Sequence, residues 1–331
     1  MSDITVVGGG IIGLSIAWRL VARGADVTVL DGGDEGAWHV AAGMLAPGGE
    51  SEHEDPALIR LLDRSADLWP AFAEELGVDV GYDKTGTLSL ALTADDLAGR
   101  ARLWTRQQLP LLRPSELRSL EPALSVRVRA GVLASRERQV DPRRVVNALR
   151  ERLSDRIVPK RIESLSDVDA RVVVVAAGCG TAALTGLPVR PVKGQVLRLR
   201  GEPGLLRHVL DAAVDGNEVY IVPRADGEVV VGATQEERTD RLVTAGGVHD
   251  LLRAALEIVP GLAEFELTET TVGHRPGTPD NAPMLGRLDD RVVVAAGHFR
   301  NGILLAPVTA DLIAGVVLDG QDVADFSPRR F

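Results

Sequence analysis

Residues 4–13 read Ile-Thr-Val-Val-Gly-Gly-Gly-Ile-Ile-Gly, so a short apolar run leads directly into the spacing G-x-G-x-x-G. The run predicts a buried strand, and the amphipathic residues 14–22 predict a helix after the glycines. A second strand is predicted over residues 25–30, and it ends at Asp31. Strand, glycine loop, helix, strand and acid in this order are typical of a βαβ unit that binds a dinucleotide.

The three glycines of this spacing have different tasks. Gly8 permits a tight turn, and Gly10 lets the backbone approach a pyrophosphate at the positive helix N-terminus. Gly13 lets helix and strand pack closely. Asp31 places a carboxylate where it accepts hydrogen bonds from both ribose hydroxyls and repels a 2′-phosphate, which disfavours NADP. A strand-to-helix turn without a ligand is the alternative.

Composition excludes several classes of protein. The chain has 331 residues, of which 45% are hydrophobic and 25% charged, as in an ordinary globular protein of one or two domains. A formal net charge of −10 argues against nucleic-acid binding. No apolar run reaches the ~18 residues of a membrane span, and we expect no signal peptide before the first strand. Cys179, the single cysteine, and six histidines without ligand spacing predict no disulfide, no metal site and a cytoplasmic location.

Two kinds of segment alternate along the chain. Parallel, fully buried strands are predicted for the β-branched runs in residues 171–178 and 291–297, which both end in Ala-Ala-Gly. Antiparallel strands are predicted where the pattern alternates or a hairpin signal occurs, in residues 86–92, 194–200, 218–223, 228–233 and 265–273. Helices are predicted over residues 57–76, 94–108, 142–153, 247–258 and 302–317.

This order predicts an α/β fold with α+β character, in which a mixed antiparallel-sheet substrate domain is inserted into a Rossmann-like cofactor domain. We assign residues 1–80, 140–190 and 270–331 to the discontinuous cofactor domain, and residues 81–139 and 191–269 to the substrate domain. A single large mixed domain is the alternative.

The dinucleotide is predicted to be FAD rather than NAD. Nicotinamide enzymes of this layout usually continue with consecutive strands, whereas this chain leaves the pattern for more than a hundred residues after Asp31. No second G-x-G-x-x-G occurs, and the late Ala-Ala-Gly297 suggests a second contact with the same nucleotide.

Several later segments carry a family resemblance. They are Ala41-Ala-Gly-Met-Leu-Ala-Pro47, Pro191-Val-Lys-Gly-Gln195, Tyr220-Ile-Val-Pro-Arg224, Val231-Gly-Ala-Thr234, Gly273-His-Arg-Pro-Gly-Thr-Pro-Asp280 and Gly297-His-Phe-Arg-Asn-Gly-Ile-Leu-Leu-Ala-Pro307. Together with the first βαβ unit, the chain resembles the FAD-dependent D-amino-acid oxidase family, and within it the glycine oxidases of thiamine biosynthesis.

The resemblance implies a carboxylate-binding pair. The arginine of G-x-R-P is Arg275, whose planar guanidinium suits a substrate carboxylate. The alternative is an ion pair with Asp280 or Asp289. Tyr220 matches a tyrosine that lines the substrate pocket and reaches the carboxylate, with packing in the core as the alternative.

The same resemblance places two further residues beside the flavin. Arg300 matches a second active-site arginine, and the backbone N–H groups of residues 300–302 are expected to open the last helix beside the flavin. Met44 matches a residue that passes the flavin ring, with plain core packing as the alternative.

The resemblance also implies a set of cofactor-binding residues. They are Gly8, Gly10, Ile11, Ile12, Gly13, Asp31, Gly32, Ala37, Trp38, Ala42, Gly43, Met44, Ile162, Ala177, Gly178, Gly297, His298, Phe299, Arg300, Asn301, Gly302, Ile303 and Leu304. FAD is expected to be non-covalent, because related sarcosine oxidases attach it through a C-terminal cysteine and this chain has no cysteine beyond Cys179.

Two positions depart from the family pattern. Family members have small hydroxyl residues before Ala-Ala-Gly-Met, whereas this chain has Ala37-Trp38-His39-Val40. His39 is either a replacement polar group near the flavin or a surface histidine. Glu218, near the expected pocket mouth, is either a selectivity residue or a solvated strand residue.

The implied reaction is the oxidative deamination of glycine or a small amine such as sarcosine or D-alanine, with dioxygen reduced to hydrogen peroxide. The imine product either enters thiazole formation or is hydrolysed to glyoxylate. The alternatives are a D-amino-acid, sarcosine or proline oxidase, a dehydrogenase that uses a quinone, and a non-catalytic flavoprotein. The resemblance further implies a homo-oligomer, a tetramer or dimer, with no membrane or nucleic-acid partner.

Overall fold

The computed structural model describes residues 3–48, 55–214 and 216–331. In chain order, the strands are β1 (Ile4–Val7), β2 (Val27–Asp31), β3 (Met44–Leu45), β4 (Thr87–Ala91), β5 (Ala130–Ala134), β6 (Arg138–Gln139), β7 (Ile157–Pro159), β8 (Val172–Val175), β9 (Arg190–Arg200), β10 (Val209–Val214), β11 (Asn217–Pro223), β12 (Glu228–Gly232), β13 (Glu266–Gly277), β14 (Met284–Arg287) and β15 (Val292–Ala296).

Helices alternate with these strands. They are α1 (Ile11–Ala22), α2 (Ala37–Val40), α3 (Pro56–Glu75), α4 (Ala94–Arg106), α5 (Pro114–Leu120), α6 (Pro142–Arg152), α7 (Thr181–Thr185), α8 (Ala245–Ile258) and α9 (Ala306–Leu318). No helix among the described residues is both long and apolar enough to cross a membrane.

The first large sheet has the order β14-β15-β8-β1-β2-β7. β1 pairs in parallel with β2 and β8, and β15 pairs in parallel with β8. The valines of β8 are buried because apolar clusters cover both faces of this sheet, with α1, α3, α6 and α9 contributing to one of them. This confirms the parallel arrangement predicted from the β-branched runs.

The second large sheet has the order β13-β9-β12-β11-β10-β4-β5 and is mostly antiparallel. β11 and β12 form the predicted hairpin. One face of this sheet packs against α8 in an apolar cluster. The opposite face carries Tyr220, Asp211 and Ser89 and faces a cavity.

The two sheets confirm the predicted fold class. The domain boundaries stay a prediction, and β13 pairs with β9 in the second sheet as far as Gly277. The start of the last helix was predicted incorrectly. α9 begins at Ala306, and a 3₁₀ turn occupies residues 299–301. Pro307, which lacks an N–H, belongs in the first turn of a helix, and this sets the later start.

Candidate active site

One cavity, of about 1400 Å³, is lined by residues of both large sheets. Most small-ligand sites occupy about 300–1000 Å³, so this cavity has room for a long cofactor and a substrate. Its lining includes the loop between β1 and α1 and residues of β4 and β10.

The glycine loop after β1 forms a tight cradle. A Cβ atom at Gly8 would overlap the carbonyl oxygen of Ala176, and one at Gly13 would overlap the carbonyl oxygen of Gly8. Gly8 also has a φ of 119°, which side chains rarely adopt. These contacts support the turning and packing roles that the spacing predicts for both glycines.

Gly9 has a role that the sequence analysis missed. A Cβ atom at this position would overlap the carboxylate of Asp31. That carboxylate accepts hydrogen bonds from the Gly33 N–H at 3.0 Å and from Arg150 Nη2 at 3.0 Å. A carboxylate has about four lone-pair sites, so Asp31 retains acceptor capacity toward the cavity.

Trp38 lies against the same loop. Its indole Cδ1 would stand 3.4 Å from a Cβ at Gly10 and 3.1 Å from a Cβ at Gly36. The guanidinium of Arg150 lies over its ring, 5.5 Å from the centroid. Trp38 therefore occupies the place where the family pattern has small hydroxyl residues.

His39 points away from the cavity wall. Its Nε2 lies 2.9 Å from Arg143 Nη2, and Arg143 in turn binds Glu269 at 2.6 and 2.9 Å. Burial and the charge of Arg143 lower the pKa of His39. His39 is therefore part of an ionic network and does not line the cavity.

Tyr220 lies at the centre of the cavity-facing sheet. A Cβ at Gly232, its cross-strand neighbour, would overlap the Tyr220 hydroxyl oxygen, so only glycine leaves room for the ring. Burial raises the pKa of Tyr220, while the positive charges of Arg275, Arg198 and Arg300 act in the opposite direction. The phenol stays protonated near neutral pH and can donate a hydrogen bond.

Arg275 lies in β13 with its guanidinium over Gly194, where a Cβ would stand 2.6 Å from Nη1. Its Nη1 donates to the carbonyl oxygen of Thr234 at 3.2 Å. The acids considered as alternative partners are engaged elsewhere, because Asp280 pairs with Arg330 at 2.8 Å and Asp289 accepts from the N–H of Arg291. The guanidinium lines the cavity beside Tyr220.

Arg300 reaches the same region from the turn before α9. Its Nη2 donates to the side-chain oxygen of Gln235, and Nη1 lies 4.0 Å from Glu218 Oε2. Glu218 is 71% exposed, so the pair is screened by solvent. Residues 234 and 235 therefore hold both cavity arginines, which the sequence pattern did not reveal.

The N–H groups of residues 300–302 do not open an α-helix. They belong to the 3₁₀ turn, where the N–H of Asn301 donates to the carbonyl oxygen of His298 at 2.9 Å. His298 itself is buried with Nε2 3.1 Å from Thr309 Oγ1, and burial lowers its pKa to about 3. This histidine is neutral and anchors the turn to α9.

The segment before β3 passes between the two sheets. Arg224 donates to the carbonyl oxygen of Ala42 and to Gln139 Oε1, the latter at 2.7 Å. Gly43 has a φ of 83°, and a Cβ there would overlap the carbonyl oxygen of Val140. Met44 packs with Tyr220 in an apolar cluster and also lines the cavity. Core packing and a position beside the cofactor, the two alternatives for this methionine, are therefore compatible.

Most of the predicted cofactor-binding residues line this one cavity. They are Gly8, Gly10, Ile11, Ile12, Asp31, Gly32, Ala37, Trp38, Ala42, Gly43, Met44, Ile162, Ala177, Gly178, Gly297, His298, Phe299, Arg300, Asn301, Gly302 and Ile303. Gly13 lies behind the loop, in contact with Gly8. Leu304 is buried and does not line the cavity. Its carbonyl oxygen points into the core, where it accepts from Ser65 and Trp69 at 2.6 and 2.9 Å.

The chain is similar to known oxidases over its whole length. A family model described as DAO, FAD dependent oxidoreductase, matches residues 3–316. The glycine oxidase of Geobacillus kaustophilus is 34% identical over 98% of this chain and 95% of its own length, and its crystal structure superposes with a TM-score of 0.89, covering 100% of this chain and 99% of that one.

Two further relatives cover the chain as fully. The bifunctional protein ThiO/ThiG of Synechocystis sp. is 36% identical over 100% of this chain and 54% of that protein. The chain therefore spans about half the length of this bifunctional relative. The structure of iminodiacetate oxidase from Chelativorans sp. has a TM-score of 0.87 at 29% identity and covers 98% of this chain and 98% of its own.

Proposed function

Because the chain belongs to the DAO family of FAD dependent oxidoreductases, we propose that it oxidises glycine to an imine at the cavity wall formed by Arg275, Tyr220 and Arg300. The main support is the convergence of these three side chains on the cavity that the dinucleotide loop also lines. The relatives named glycine oxidase cover nearly all of this chain.

The residues present fit FAD. The glycine cradle at Gly8 and Gly9 has no room for a Cβ, and the Asp31 carboxylate beside it retains acceptor capacity for a ribose. Residues 300–302 line the same cavity. When bound, FAD supplies the acceptor for the two electrons that leave the substrate.

Arg275 and Tyr220 orient the substrate. The guanidinium of Arg275 offers two parallel N–H donors to a carboxylate and keeps its charge at all relevant pH values. The protonated Tyr220 hydroxyl donates to the same carboxylate. Holding the substrate in one orientation is the contribution that proteins make in cofactor enzymes of this kind.

Met44 and Ala42 restrict the space around the α-carbon. Both belong to the apolar cluster that also contains Tyr220. We propose that this restriction favours glycine over substrates with a side chain. Because one methylene changes binding by only about 1–3 kcal/mol, sarcosine and D-alanine are expected as slower substrates.

The overall reaction needs no catalytic base from the protein. Glycine reacts with its amine neutral and loses a hydride from the α-carbon. Hydrolysis of the imine then gives glyoxylate and ammonia, while dioxygen takes up the two electrons and becomes hydrogen peroxide. Release of the imine before hydrolysis would supply thiazole formation, the pathway in which we place this enzyme by its similarity to ThiO/ThiG.

FAD is proposed to be held without a covalent bond. Cys179 lines the cavity, but burial raises the pKa of its thiol to about 11, so it stays protonated. A protonated thiol is a poor nucleophile. The homo-oligomer implied by the resemblance and the cytoplasmic location inferred from the single cysteine stay predictions.

Turnover of a substrate panel tests the proposed function. The FAD-loaded protein is mixed in air with glycine, sarcosine, D-alanine and D-proline, and peroxide and glyoxylate are measured. We expect the highest kcat/KM with glycine and one peroxide for each glyoxylate. Preference for D-proline or D-alanine would reject the substrate assignment, and oxidation only with an added quinone would reject dioxygen as acceptor.

A further inference from the structure

The cavity continues past the residues assigned to glycine. Tyr220 in β11 is opposite Asp211 in β10, and Asp211 is opposite Ser89 in β4. Residues opposite each other in adjacent strands share a sheet face, and strands are about 4.8 Å apart. Asp211 and Ser89 therefore extend the cavity about 5–10 Å beyond Tyr220.

The Asp211 carboxylate is neutralised by a buried arginine. Arg100, 9% exposed, donates to Asp211 at 2.6 and 3.3 Å. Ser89 accepts from Arg100 at 2.7 Å and from Trp104 at 3.0 Å, and it donates to Asp211 at 3.2 Å. These contacts compensate the charge of Asp211 within the group.

Glu137 lines the same part of the cavity without such a partner. It lies between β5 and β6, is 8% exposed, and forms no ion pair with any Arg, Lys or His of the described residues. The Thr87 hydroxyl faces it but makes no hydrogen bond of good geometry. Burial, and to a smaller extent Asp211, raise the pKa of Glu137 to about 7, although Thr87 acts in the opposite direction.

The carboxylate of Glu137 and the hydroxyl of Thr87, the hydrogen-bond acceptors in this part of the cavity (the Glu137 compartment), suit a cation. An ammonium group has three N–H donors and no acceptor, and charge-assisted hydrogen bonds to a carboxylate are strong. A buried carboxyl group without a partner is costly. The guanidinium of Arg100 donates to Asp211 and Ser89 and does not line the cavity, so it is not placed to bind an anion there.

We propose that Glu137, with Thr87, binds the cationic end of a substrate whose carboxylate is held by Arg275. The substrate class is an N-substituted glycine whose substituent carries a positively charged amino group two to four bonds from the reacting nitrogen. The inference rests on the carboxylate role of Arg275 in the proposed function. Glycine is then the smallest substrate, which leaves the Glu137 compartment unfilled.

The experiment uses two ligands that cannot be oxidised at a C–N bond beside the carboxylate. These are (2-aminoethoxy)acetate and propoxyacetate, which have nearly the same shape and differ in a terminal ammonium or methyl group. Each is titrated into the FAD-loaded protein, and binding is followed by the change in the flavin absorbance. We expect the ammonium ligand to bind at least about tenfold more tightly, as one charge-assisted contact allows.

Glu137→Gln keeps the shape and removes the charge. It should reduce the ratio of the two dissociation constants to less than about twofold and leave the affinity for propoxyacetate nearly unchanged. Glu163→Gln, at a second glutamate that lines the cavity, is the matched control and should keep the wild-type ratio. If Glu137→Gln does not retain FAD, Glu137→Asp, which keeps the charge but withdraws it by one methylene, should lower the ratio.

Equal binding of the two ligands to the wild-type protein would overturn the proposal, and so would a ratio that survives Glu137→Gln. The result is separable from the proposed function, because neither ligand needs to react. A retained ratio in a protein that glycine does not reduce would reject glycine and leave the cation subsite standing.

Discussion

The phenol ring of Tyr220 lies against the Cα atom of Gly232, so that a Cβ atom at position 232 would overlap the Tyr220 hydroxyl oxygen. The two residues are cross-strand neighbours in β11 and β12. The absence of a side chain at one position thus fixes the ring at the other, beside the arginines that we assign to the substrate carboxylate.

Gly232→Ala is expected to displace the Tyr220 ring and raise the KM for glycine about tenfold or more, since one hydrogen bond to a charged group contributes about 1.5–3 kcal/mol. Steady-state kinetics with glycine measure this. Gly99→Ala is the control, because a Cβ at Gly99 in α4 meets no atom within 4 Å. A variant with unchanged KM would show that Tyr220 does not contact the carboxylate.

Arg275→Lys is expected to raise the KM for glycine about 30-fold, because the loss of two-pronged binding removes about 2 kcal/mol. Arg275→Ala should raise it further. The measurement is KM in air-saturated buffer, together with the dissociation constant of a non-reacting carboxylate. If both quantities stay at the wild-type value, another residue binds the carboxylate.

Gly9→Ala is expected to abolish FAD retention, because the added methyl group would overlap the Asp31 carboxylate beside the glycine cradle. Asp31→Asn should weaken FAD binding by a smaller factor, since an amide still accepts one hydrogen bond. The ratio of flavin to protein after gel filtration and the FAD dissociation constant report the effect. Full flavin content in Gly9→Ala would contradict the position given to the cofactor.

His298 is expected to destabilise the protein in acid. Burial lowers its pKa in the folded state to about 3 from 6.5, so the unfolded chain binds the additional proton between these values. Its contribution to stability is complete above pH 6.5 and is lost as pH falls toward 3. From pH 7 to 4.5, wild-type protein should lose about 2–3 kcal/mol more unfolding free energy than His298→Gln. Equal losses in denaturant titrations would contradict a buried neutral histidine.

Local patterns predicted the first βαβ unit and the valine-rich strands. Each of these elements is specified by its own residues, as in the four buried valines of β8. The family resemblance predicted Arg275, Tyr220 and Arg300 as residues of one site, and all three line the same cavity. The last helix begins later than predicted, at Ala306, because Pro307 belongs in the first turn of a helix.

Other features depend on residues distant in sequence and could not be predicted from local patterns. The role of Gly9 comes from Asp31, which reaches it across the βαβ unit. The support that residues 234 and 235 give to Arg275 and Arg300 comes from a loop whose own sequence carries no such signal. Glu137 is one of many glutamates, and only the fold buries it.

Oxidation of glycine at this site is tested by anaerobic mixing of the FAD-loaded protein with glycine while the flavin band near ~450 nm, the cofactor's own absorbance, is followed. We expect rapid bleaching in the wild-type protein, recovery of the band with peroxide when air is admitted, and much slower bleaching in Arg275→Ala at the same glycine concentration. A flavin band that glycine leaves unchanged in the wild-type protein would rule out glycine as the substrate.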